Sequence, residues 1–167
     1  MAFDEDLAAI AVQERELQLP QFNEETAWRL GSRIREMAVS RKLSVVIDVR
    51  RFGQPLFYSA LSGTSPDHAE WVRRKGNVVA RFHRCSYAIG LELRNKNKNL
   101  FEDRGLSFTD YAAHGGSFPI RVASAGVIGS VTVSGLPQRA DHELVVEALC
   151  SECGLDYAKL ALPTVSA

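Results

Sequence analysis

Apolar runs of membrane length are missing from this chain. No stretch approaches the roughly 18 apolar residues that a spanning helix needs. The N-terminus, with Asp4, Glu5 and Asp6, is unlike a signal peptide. Cysteine is scarce: three in 167 residues, an odd number, which argues against a disulfide framework and for the cytosol. Net charge is absent as well. Twenty basic groups cancel twenty acidic ones, so no global field steers the chain to nucleic acid or to a membrane. The usual chemical motifs are also lacking. There is no G-x-x-x-x-G-K-[ST], and Gly126-Val-Ile-Gly129 and Gly115-Gly116 lack the third glycine and the strand-to-helix setting of a dinucleotide site. None of the four histidines forms H-x-x-x-H, and there is no G-x-S-x-G elbow. Cys150-Ser-Glu-Cys153 stands alone, without the second ligand pair of a structural zinc. It closes a predicted helix, whereas a reactive thiol pair opens one. No nucleophile, base and oxyanion donor can be placed together, so the reading leans away from an enzyme.

What is present centres on residues 115–136, GGSFPIRVASAGVIGSVTVSGL. Residues 118–123 and 127–134 alternate as two strands around a turn at 124–126. Val127, Val131 and Val133 share one face; Ile128, Ser130, Thr132 and Ser134 share the other. Five of these 22 residues are glycine, more than a hairpin turn requires. Gly115-Gly116 therefore predicts a close approach to the backbone, by a ligand or by another part of the chain.

Around this hairpin the chain predicts helices over residues 4–16 and 23–42, the second capped by Asn23. Residues 43–50 and 55–61 form another hairpin. Ser65-Pro66 opens a helix that Gly76 ends or bends. A longer helix follows from Asn77, with Val78, Phe82, Cys85, Ile89 and Leu93 on its core face. Residues 108–113 predict a short helix. Asp141 caps a last helix through Cys150, which Gly154 stops, and 155–162 docks as one more turn. The order α-α-β-β-α-α-β-β-α gives four strands and a mostly antiparallel sheet covered by helices, not a doubly wound parallel one. One domain is expected over 1–167, with 1–18 as an N-terminal helical extension.

The charges are unevenly spread. Residues 71–105 carry 9 basic and 3 acidic groups, with a run at Arg73-Arg74-Lys75. Without interleaved aromatics this reads as the wet face of a helix pair. Asp48, Arg50 and Arg51 read as a structural ion-pair group. His68 and His142, in first turns of helices, are expected in solvent. His83 groups with Val79 and Tyr87 off the main stripe, and His114 precedes the glycine pair. A backbone-lined glycine edge beside cationic side chains suits a small anion or carboxylate. The candidate ligand-binding residues are thus His114, Gly115 and Gly116 with the facing Arg81 and His83.

GGSFPI, then GVIGSVTVSGL, then Asp141-His142 opening the last helix, resembles the haem-degrading-domain family of HbpS-like and GlcG-like proteins. IDVRRFGQPLFYSAL and WVRRKGNVVARFHRCSYAIGLEL are closer still to its uncharacterised branch, protein family 0303. The similarity spans about Leu19 to Leu162. It implies an α+β, profilin-like fold, with a central, mostly antiparallel five-stranded sheet and helices on both faces; the fifth strand must then come from 100–114 or from a segment read as helix. It also implies dimer-based homo-oligomers. Members of the wider family bind haem or act as accessory sensors, although this chain has no Cys-Pro or C-x-x-C-H haem attachment. The expected function is a cytosolic small-ligand-binding or accessory module with no nucleic-acid or membrane partner. The alternatives are a haem-binding or haem-degrading protein, with haem as cofactor, and an assembly protein acting through exposed Phe52, Phe57 and Phe101.

Overall fold

A computed structural model describes residues 2–165; Met1 and residues 166–167, the ends of the expected 1–167 domain, lie outside the described residues. The elements are α1 (Ala2–Glu16), β1 (Gln18–Leu19), α2 (Glu24–Ser40), β2 (Val46–Arg51), β3 (Gln54–Ala60), α3 (Pro66–Phe82), α4 (Ser86–Asn95), α5 (Leu100–Arg104), β4 (Ser117–Val122), β5 (Gly126–Ser134), α6 (Gln138–Cys153) and α7 (Tyr157–Leu160). Five strands form one sheet in the order β1-β4-β5-β2-β3. The two expected hairpins, β2–β3 and β4–β5, are antiparallel and pair with each other through β2 and β5.

The fifth strand is neither in 100–114 nor in a misread helix. It is Gln18–Leu19, paired in parallel with β4. Two residues ahead of Pro20 are too few to show alternation, and only docking against Arg121 and Val122 makes them a strand. Residues 100–104 are helical instead, capped by Asn99 and stopped by Gly105, and no helix forms over 108–113.

Alternation along the strands holds, and both faces are covered. Ile47, Val49, Phe118, Ile120, Val131 and Val133 all join the main apolar core, onto which α2 and α6 pack. Asn23 caps α2 as expected: its Oδ1 accepts the Thr26 amide at 2.9 Å, and Thr26 Oγ1 accepts the Asn23 amide in return. The opposite face carries Asp48, Ser117, Ser130, Thr132 and Ser134, all buried under α3. Ser117 and Thr132 hydroxyls bond at 2.8 Å. On the same face Arg50 holds Asp48 with two bonds of 2.7 Å, the expected structural ion pair.

Helix α3 does not stop at Gly76. It runs unbroken from Pro66 to Phe82. Gly76 lies over the polar sheet face, where an added Cβ would stand 3.9 Å from the hydroxyls of Ser130 and Thr132. Buried Val72, Val78 and Val79 on either side anchor the helix, outweighing the roughly 1 kcal/mol that a helical glycine costs. The break falls at His83, left-handed at φ 55°. There Glu14 of α1 accepts the Cys85 amide at 2.7 Å, a tertiary contact that no local pattern announces.

The start of α6 also differs. It begins at Gln138 after Pro137, so Asp141 lies inside the first turn and is buried. His142, expected in solvent, is 1% exposed. Its Nε2 bonds Gln13 Oε1 at 2.8 Å, because α1 covers this end of α6. Gly154 closes α6 in the left-handed region as predicted. All three cysteines are free thiols, Cys85 and Cys150 buried and Cys153 half-buried. Of the expected surface anchors, Phe52 and Phe101 are exposed, but Phe57 is buried against Trp28. Among the described residues no helix is long and apolar enough to cross a membrane.

Candidate functional site

A polar cavity of about 260 Å³ opens between the first half of α3, the loop before α6 and the segment leading into β4. Lys75, Asp141, His114, His68, Trp71 and Gln138 line it. Its floor is an ion pair: Lys75 Nζ donates to Asp141 Oδ2 at 3.0 Å and to Val133 O at 3.2 Å. The two side chains are 4% and 1% exposed. Asp141 Oδ1 accepts the Leu136 amide at 3.0 Å, and its Oδ2 the Gly135 amide at 3.4 Å. Burial pushes the Lys75 amine below its ordinary range and the Asp141 carboxyl above its own, and each charge holds the other's shift back.

Gly116 is what lets this pair sit against the sheet. Its φ is +133°, and a Cβ there would lie 2.8 Å from Lys75 Nζ and 2.3 Å from Val133 O. Gly115 packs as tightly on the backbone of Gln138 and donates its amide to Gln138 Oε1 at 3.0 Å. The close approach predicted for the glycine pair is therefore made by the chain itself, and it builds the cavity floor.

His114 stands at the mouth, its ring 5.3 Å from Trp71 in an edge-on arrangement. Burial, then the charges of Lys75, Arg94 and Arg74, lower its pKa, which favours a neutral imidazole at neutral pH. His68 accepts the Ser65 amide on Nδ1 at 3.0 Å. That bond leaves Nε2 as its protonated nitrogen.

The structure brings His114, Gly115 and Gly116 together and puts Arg81 and His83 elsewhere. Unbroken α3 separates them: its 17 residues span ~25 Å at 1.5 Å per residue. His83, at the far end, borders a cleft of about 270 Å³ between α3 and β5, with Val72, Ala80, Phe52 and Ile128. Arg81 is exposed and lines neither space. Sequence reasoning missed Lys75, Asp141 and Trp71. Lys75 had a signal, since it lies three residues from both Val72 and Val78 on the apolar stripe, but the neighbouring arginines made it read as solvated. Arg73 does face outward, where it pairs with Glu70 and Asp110.

A five-stranded mixed sheet covered on both faces defines a class of α+β domains with solved members. The Ybr137w protein superposes with a TM-score of 0.83 at 26% identity, over 90% of this chain and 89% of that one. HbpS superposes at 0.61 and 18% identity, over 80% and 91%. A PduOC:Heme complex superposes at 0.65 and 14% identity, over 78% and 94%. Residues 22–150 match the family described as Haem degrading protein HbpS-like. The chain is 66% identical to a UPF0303 protein of Acidobacterium capsulatum, over 98% of this chain and 99% of that one. It is 59% identical to another from Paraburkholderia phymatum, over 94% and 95%. The chain belongs to the HbpS-like family and to its UPF0303 branch.

Proposed function

We propose that this chain is a cytosolic, homo-oligomeric ligand-binding or accessory module that takes a small carboxylate in the Lys75–His114 cavity. One observation carries the reading. An ammonium has three N–H donors, and among the described residues Lys75 Nζ has two acceptors, Val133 O and Asp141 Oδ2. The third N–H remains for a ligand oxygen. Around it the His68 Nε2–H and the Trp71 ring supply a donor and an apolar wall. Calorimetry with a panel of small mono- and dicarboxylates tests this. At least one should bind saturably, and His114→Ala and His68→Ala should weaken it without changing the unfolding midpoint much. Silence across the panel overturns the reading.

A second reading is haem binding, supported by the family description and by the haem named in the PduOC complex. The fit in this chain is partial. Val72, Ala80 and Ile128 give the α3–β5 cleft an apolar wall, and His83 offers an exposed imidazole at its rim. At about 270 Å³, the cleft is below the ~300 Å³ at which enclosed ligand pockets begin. It would take an edge of the macrocycle and leave the rest outside. Haem titration should give a Soret shift that His83→Ala abolishes; a shift indifferent to both His83→Ala and His114→Ala means loose adsorption.

A further inference from the structure

A third cavity, of about 180 Å³, lies between α3, α4 and the segment after α5. Arg74, Arg94, Lys98, Asn99 and Tyr111 line it, and His114 belongs to both this cavity and the Lys75 one. Its cations are poorly compensated. Arg74 stacks 4.3 Å from the Trp71 ring centroid and donates to Phe108 O at 3.2 Å. Arg94 lies 5.8 Å over Phe3. Neither has a carboxylate within ion-pairing distance among the described residues. Lys98 is 3.9 Å from Asp103, a carboxylate already shared with Lys96 and Arg104. Elsewhere on the surface Arg29, Arg41, Arg51, Arg73, Arg84 and Arg139 each hold an acid.

The polar lining is rich in donors. Two guanidinium forks and an ammonium are joined by the Asn99 amide, whose oxygen is engaged by the Glu102 amide and whose NH₂ is left to donate. The forks bind carboxylate and phosphate alike, but three positive charges together match an oxyanion of more than one charge better than a single carboxylate. The volume admits a group of that size. The charges of Arg74 and Arg94 reach His114 and help to depress its pKa.

We infer that the Arg74–Arg94–Lys98 cavity binds the phosphate group of a small phosphate monoester, next to the Lys75 cavity and separate from it. The inference does not depend on what fills the Lys75 cavity.

Titrating the intact protein with inorganic phosphate at low ionic strength, by calorimetry and by the NMR titration of His114, tests it. One phosphate per chain should bind saturably, more weakly as salt rises, and should raise the His114 pKa. Arg94→Gln and Arg74→Gln should each weaken binding about 10- to 100-fold, the worth of one charged hydrogen bond, and together should abolish it. Arg94 is exposed, so its loss leaves folding intact. The Lys75→Met/Asp141→Asn double variant should bind phosphate as the wild type does. Wild-type phosphate affinity in the double arginine variant, or no saturable binding at all, overturns the inference. Loss of phosphate binding in the Lys75 double variant alone would move the anion into the first cavity, refuting this site and sparing the carboxylate reading. A single-stranded oligonucleotide binding at the arginines more tightly than phosphate would also refute a small-molecule site.

Discussion

The two one-sided breaks of the Lys75–Asp141 pair should together cost far more than removing it whole. Lys75→Met strips the counter-charge from a carboxylate that is 1% exposed. One-sided loss of a buried pair costs about 3–5 kcal/mol. Here the Leu136 and Gly135 amides still donate to the carboxylate, which places the loss near the lower end, about 3 kcal/mol. Asp141→Asn keeps an acceptor for the Leu136 amide but leaves the ammonium uncompensated. The amine can shed its proton, which limits that cost to about 2 kcal/mol. The double variant buries no charge and keeps the amide acceptor, so its loss should also be about 2 kcal/mol, mainly packing and one weakened hydrogen bond. The sum of the single losses then exceeds the double by about 3 kcal/mol, the top of the range for residues in contact. Urea unfolding at pH 7 of the four proteins, compared at equal m-values, measures this directly. Additivity within about 0.5 kcal/mol would mean that the two charges do not meet in a dry site, and the cavity floor described above would be wrong.

Acid stability should depend on His142. Burial lowers its pKa from 6.5 to about 3. The unfolded chain therefore takes up a proton before the folded one, and stability falls as the pH drops through 6.5 towards 3. At 1.36 kcal/mol per unit the full loss is about 5 kcal/mol. His142→Asn, which can still bond Gln13, should flatten that limb of the stability–pH curve; an unchanged limb refutes the assignment. Gly76→Ala should stabilise the protein by about 0.5–1 kcal/mol, since the helix continues through this site and the new methyl meets only ordinary contacts at 3.9 Å. A loss measured by thermal or urea unfolding would place a real break in α3 at Gly76.

Much of the candidate site was legible in pieces. The surplus of glycine at 115–116 announced a close approach, and Gly116 does receive Lys75 Nζ and the Val133 carbonyl. What approaches could not be read, because Lys75 is 41 residues earlier and lies in a run of basic groups. Its neighbour Arg73 points outward to Glu70 and Asp110, and the helix rotates Lys75 onto the sheet. His83 was grouped with Tyr87 on the assumption of one helix through Cys85. The contact from Glu14 that breaks the helix there comes from α1, some 70 residues away in sequence.

The alternation of valines with serines and threonines was sufficient to determine the two hairpins, and the Asn23 and Gly154 signals sufficed for two helix ends. These are short-range effects, set by the period of the backbone and by the hydrogen bonds left open at helix termini. Tertiary structure decided the fifth strand, the course of α3 past Gly76 and the burial of Lys75, Asp141 and His142. Each depends on desolvation and on partners distant in the chain, so a side chain that reads as polar and exposed becomes the floor of a cavity only when the partner that neutralises it arrives.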